Sequence, residues 1–316
     1  MAEQLTILGL WERSAPEADQ APSPPPPVAP PVPPPDPRQH DLLDGPHLLR
    51  FKLEEACVAL DAAAVRVAHA NLLARSIGQT WGDWGDGVAW LVEPASGEES
   101  AQRALSLTAL HFPGAPRFLV EQVRGAALRR AVQQLTAAGG PGAALSDGRP
   151  AGLLALIAGD FVLARALLAA ACDASGHSNA MWLGYLGEAS WRLGEWFAAM
   201  QCWCRASLVD PSRIDPAWVT AAPVLELLDL HDELELTGTP FSYLAVLADL
   251  RGKHPLDDFA LEVPASASVP RRLAALLRAY RRDRASGALD ESGRIEAKRV
   301  MARLGPPGLR ELLRPL

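Results

Sequence analysis

The 316-residue chain is poor in lysine, cysteine and long apolar runs. Of its 30 basic residues only Lys52, Lys253 and Lys298 are lysines, and the rest are arginines. With abundant Ala, Gly and Pro, that bias fits a GC-rich bacterial genome better than a special partner. Four cysteines do not suggest a disulfide scaffold, and a reducing, cytoplasmic setting is expected. No window approaches 18 consecutive apolar residues, which excludes a transmembrane helix. The segment Met1–Trp11 lacks a basic leader, and its apolar run is too short for a secretory signal. Catalytic motifs are missing too: there is no Gly-x-Ser-x-Gly elbow, no phosphate-cradling loop and no His-Glu-x-x-His. Gly252-Lys253 precedes His254 and lacks the upstream glycine of a nucleotide loop. No cofactor or metal is predicted.

What is present is that of an ordinary globular protein, 49% hydrophobic and 21% charged, long enough for one large or two small domains. Proline is uneven: APSPPPPVAPPVPPPDP holds eleven of the 28 prolines. Such a run lacks amide donors and has fixed φ, so residues 15–41 are predicted to be a disordered, extended linker reaching up to ~80 Å. Before it stand Leu5, Ile7, Leu8, Leu10 and Trp11, unusual for a solvated tail. Residues 1–14 read as a tethered docking tip, with a bland N-terminus as the alternative.

From Leu42 onward the periodicity is helical, with no period-2 alternation, so an all-α fold is expected. Leu49, Leu53, Cys57, Leu60, Ala64 and Val67 place one helix over 48–77, part of an N-terminal helical region 42–140. Gly78, Gly82, Gly85 and Gly87 break the next stretch into a loop containing Trp81, Trp84 and Trp90. That loop reads as tucked onto the core; a stacking surface or an Asp83/Asp86 calcium site are the alternatives. Gly139–Pro150 is the best internal boundary.

Ala151–Pro211 is the most informative stretch. Gly152 recurs as Gly187, Gly159-Asp160-Phe161 as Gly194-Glu195-Trp196, Ala164 as Ala199, Leu168 as Trp203 and Ala171 as Ala206. Each offset is 35 residues, the signature of stacked helix pairs. Small residues let the helices of a pair approach closely, Gly194 permits the tight turn, and Pro211 ends the second helix. On these residues roughly 145–211, within the helix-pair region 141–211, resembles the tetratricopeptide repeat family, departing from its pattern at Ser190 and Gly176. The resemblance implies a short solenoid-like stack. It also implies a protein- or peptide-binding groove lined by the first helix of each pair: Met181, Glu188, Trp191 and Arg192. After Pro211 the period fails, and the region 212–316 reads as a cap.

The end of the chain is basic: Arg271–Leu316 carries twelve Arg/Lys against five Asp/Glu. The helix PRRLAALLRAYRRDR is expected to lay Leu273, Leu276, Leu277 and Tyr280 on the body. Its arginines then face water or the acids Glu226, Asp229, Asp232, Glu233 and Glu235. No nucleic-acid binding is expected, given the net charge of −7. Cys202 and Cys204, two residues apart on one helix, point apart and read as small buried apolar residues. Cys57 and His69 stand too far apart on one helix for a nucleophile–base pair. The expected function is a non-catalytic adaptor or scaffold. An accessory factor or chaperone of a larger assembly, such as a secretion apparatus, is the alternative, ahead of an enzyme with scattered site residues.

Overall fold

A backbone reversal at Leu60 splits the first predicted helix in two. In the computed structural model, which describes residues 45–75, 84–93, 95–254, 263–264 and 266–316, α1 (Pro46–Val58) ends in a tight turn. Leu60 adopts φ 56°, and the Asp61 amide donates to the Ala56 carbonyl. The Asp61 carboxylate then accepts from the Ala63 and Ala64 amides, starting α2 (Ala62–Ala74). Cys57 and His69 therefore lie on two helices, not one. The docking tip with Leu5, Ile7, Leu8, Leu10 and Trp11, the 15–41 linker, Trp81 and Asp83 lie outside the described residues.

The glycine-rich stretch is not all loop, because Trp84–Val92 forms α3. Gly85 and Gly87 are tolerated inside it for a packing reason: a Cβ on Gly87 would stand 2.5 Å from the His111 carbonyl oxygen. Trp84 is buried, donates to the Pro113 carbonyl and meets Phe112 edge-on, so it is tucked onto the core as expected. Gly97–Ser106 forms α4, capped by Ser96, and Arg117–Gly139 forms the long α5. This α5 packs against α4 and closes back onto α1.

Segment 139–150, expected as the best internal boundary, lies inside one compact unit spanning Pro46–Leu316. It carries the isolated bridge Ala144–Pro150, and its Ser146 donates through both amide and hydroxyl to Glu98 of α4.

Four helices follow: α6 (Ala151–Ile157), α7 (Phe161–Ala174), α8 (Ala180–Arg192) and α9 (Trp196–Val209). The 35-residue offset seen in sequence recurs in their geometry. A Cβ on Gly152 would come within 2.6 Å of Leu168, and one on Gly187 within 2.9 Å of Trp203. Gly159 and Gly194 turn with φ 76° and 79°. The following amides of Asp160 and Glu195 donate to Ala155 and Ser190 at 3.0 and 2.9 Å. Trp203 thus lies over Gly187 within its own pair, and Ala164, Ala171, Ala199 and Ala206 are buried. Asp160 caps α7 through the Leu163 amide, whereas Glu195 forms an ion pair with Arg165 at 2.6 Å instead.

Beyond α9 the pattern changes. Two 3-10 turns, Pro211–Arg213 and Pro216–Trp218, precede α10 (Ala222–Glu233), which begins later than its amphipathic stretch suggests. Next comes α11 (Leu244–Leu250), which packs on both α9 and α10. In α12 (Val269–Ala285) Leu273, Leu277 and Tyr280 are buried, while Leu276 is 36% exposed. Arg281 donates to the buried Asp249 of α11 at 2.7 Å, not to the acidic run; there Glu226 is held by Lys253 instead. The chain closes with α13 (Glu291–Leu304) and the single turn α14 (Arg310–Leu313). The described residues form an all-α fold of fourteen α-helices with no strand.

Candidate partner-binding surface

The four groove residues expected on α8 do not share one exposure. Met181 and Trp191 are half-buried against the core, and Arg192 is exposed. Glu188 corrects the expectation, being 1% exposed. Its carboxylate accepts from the Thr220 amide at 3.1 Å, the Thr220 hydroxyl at 2.6 Å and Arg192 Nε at 2.7 Å. A buried carboxylate must be satisfied internally, and here it pins the linker ahead of α10 to α8. It offers no face to a ligand.

The surface that stands out lies at the turns joining each helix pair. The first residues of α7 and α9 are Phe161-Val162 and Trp196-Phe197, one repeat apart. Val162, Trp196 and Phe197 are 70%, 56% and 46% exposed, although helix starts tolerate polar residues well. The Trp196 and Phe197 rings stand perpendicular at 6.1 Å, and Phe197 is held edge-on by the buried His254 ring at 4.7 Å. The Arg192 guanidinium lies 5.7 Å over the Phe161 ring, so α8 contributes a cation to the same edge. At the start of α7, a depression of about 420 Å³ is lined by Arg129, Gly159, Asp160, Phe161, Val162 and Leu193. The expected residue that joins this edge through a contact is Arg192. Val162 and Phe197 were legible as a 35-residue pair of large apolar residues where the helix start needs none.

No family model, no curated protein and no solved structure matches the chain.

The four cysteines are free, and burial pushes the thiols of Cys57, Cys172 and Cys202 up to about 12 and that of Cys204 higher still. Among the described residues no group of three or more His, Cys, Asp or Glu side chains is arranged to hold a metal ion. Asp86 is exposed, 3.9 Å from Arg66. No described helix is long and apolar enough to cross a membrane.

Proposed function

We propose that this chain is a non-catalytic adaptor of tetratricopeptide type that binds a protein or peptide along the edge formed by the starts of α7 and α9. The observation that carries this reading is the recurrence, 35 residues apart, of exposed large apolar side chains at Val162 and Phe197, next to Trp196. Trp and Arg are the side chains that dominate interface energy, and Arg192 borders the aromatic edge. Arg129, Arg165 and Arg192 flank it against Asp160 and Glu195. The ligand that suits it is an apolar peptide segment with a flanking acid. The four free cysteines support a reducing, cytoplasmic setting.

Selection of a random peptide library on the full chain tests the reading. Enriched peptides should be apolar with an acidic neighbour and bind at micromolar affinity. Replacing Trp196 and Phe197 together by Ala should weaken them at least tenfold while the helical circular dichroism stays unchanged. Equal binding to that variant, or no enrichment, overturns the proposal.

A further inference from the structure

The strongest unexplained surface lies at the other end of the fold. Of the fourteen residues of α13, Met301 alone is buried, and Ile295 and Val300 are 47% and 40% exposed. Ile295, Lys298, Arg299 and Ala302 fall at i, i+3, i+4 and i+7, so they share one helix face. Arg310 and Leu313 of α14 and its C-terminal neighbour Arg314 fall at i, i+3 and i+4 and do the same. These two faces line a groove of about 300 Å³. Its floor is aliphatic, from Ile295, Ala302 and the buried Leu313, and its rim holds the four cations.

The rim is only partly compensated. Glu296 lies 3.5 Å from Arg299 and Glu311 2.8 Å from Arg314, and both pairs are exposed, where such pairs contribute little. Lys298 donates to the Arg314 carbonyl at 3.3 Å, which braces α13 against α14. Four cations against two carboxylates thus border an apolar floor, in a chain whose net charge is −7.

We propose that this groove docks an acidic peptide segment that carries large apolar anchors. The charge excess selects the acid, and the aliphatic floor selects the anchor. The face from Ile295 to Ala302 is about 10 Å long by helical rise, room for roughly two turns of a partner helix. A bilayer fits worse, since Glu296 and Glu311 beside the cations would face its anionic headgroups. Nucleic acid fits worse as well. A phosphate track needs an uninterrupted basic stripe, and here Glu296 and Glu311 are paired with two of the rim arginines. This site is separate from the α7–α9 edge and does not depend on its reading.

Fluorescence anisotropy of the labelled peptide DELWEDLLED with the full chain tests the proposal. Micromolar binding is expected that weakens at least tenfold with the apolar-free control DESGEDSGED and with the neutral control QNLWQNLLQN. Arg310→Glu combined with Arg314→Glu should weaken it at least tenfold, and Ile295→Asp should do the same by spoiling the floor. The variant with Trp196 and Phe197 replaced by Ala should bind DELWEDLLED normally, which keeps the two sites distinguishable. The proposal is overturned by equal binding of either control or by unchanged affinity in both groove variants. Duplex DNA or phosphatidylserine vesicles binding more tightly than the peptide would overturn it as well.

Discussion

Helices α8 and α13 differ by one residue in length, yet nine of thirteen residues are buried in α8 and one of fourteen in α13. Local helix signals do not separate them. Asn179 caps α8 by accepting from the Trp182 amide, and Asp290 caps α13 by accepting from Gly293. The difference lies in side-chain size. In α8, Gly184, Gly187, Ala189 and Ser190 let neighbouring helices approach from several sides. In α13, Arg294, Glu296, Lys298, Arg299 and Arg303 keep them away. A helix becomes core when small residues admit partners, and remains a surface when long charged ones exclude them.

The largest expected effect is alkaline, and it belongs to the repeat side. Cys172, Cys202 and Cys204 lie in α7 and α9, Cys57 lies in α1, and α12–α14 contain none. Burial raises these thiols above the ordinary 9.0. A raised folded value means that stability is fully present below the unfolded value and is lost as pH climbs from 9 towards 12, because the unfolded thiols ionise first. Each thiol steepens the loss by on the order of 1 kcal/mol per pH unit. Burial of Tyr185 and Tyr243 acts in the same direction. Urea midpoints should be flat from pH 7 to 8.5 and fall sharply by pH 10.5. A flat profile to pH 10.5 would show the thiols to be accessible.

Next in size is a change that closes the gap inside the pair. Gly187→Val must displace the fully buried Trp203, a neighbour 2.9 Å from the ideal Cβ. Overpacking of this kind costs about 1–3 kcal/mol or more, seen as a lower Tm in calorimetry. Gly194→Val sharpens the distinction. Nothing lies within 4 Å of its ideal Cβ, so any loss reflects the φ of 79° alone. That strain is about 1–2 kcal/mol. Wild-type stability for Gly187→Val would refute the close approach of α8 and α9.

Glu188→Ala should cost about 1–3 kcal/mol, because it strips the acceptor from the Thr220 amide and hydroxyl. Glu188→Gln keeps a carbonyl oxygen there and should recover part of the loss. Neither change should weaken peptides selected on the α7–α9 edge by more than a few-fold. A large loss of affinity at full stability in titration calorimetry would return Glu188 to the binding surface.

Legibility in sequence followed the physics of each residue. The repeat turns were readable because a positive φ favours glycine, and Gly159 and Gly194 stand where that turn recurs. The break at Leu60 was hidden because leucine rarely adopts φ 56°, leaving Asp61 as the one local sign of a new helix. Gly85 and Gly87 misled in the opposite sense. Glycine reads as a helix breaker, whereas here it makes room for α3 beside the His111 backbone. Glu188 reads as groove-lining only by its position in the repeat resemblance, which carries no sign of the Thr220 that satisfies it from 32 residues away. The arginines of α12 drew attention from sequence, yet Arg281 is spent on Asp249. The groove comes instead from α13 and α14, and its residues meet only after the chain turns through Gly305 and Pro306.

The smallest expected effect tests the comparison most directly. Leu183 of α8 is 1% exposed and Ile295 of α13 is 47% exposed. Leu183→Ala removes a fully packed side chain and should cost about 2–5 kcal/mol. Ile295→Ala removes a larger aliphatic group than a methyl as well, but from a face already in water, and should change stability by less than about 0.5 kcal/mol. Matched urea titrations of the two variants give the contrast. A loss above about 2 kcal/mol for Ile295→Ala that does not vary with protein concentration would place its side chain in the core and abolish the groove. A loss that grows with protein concentration would mean that a second copy covers the α13 face, replacing the acidic peptide as its occupant.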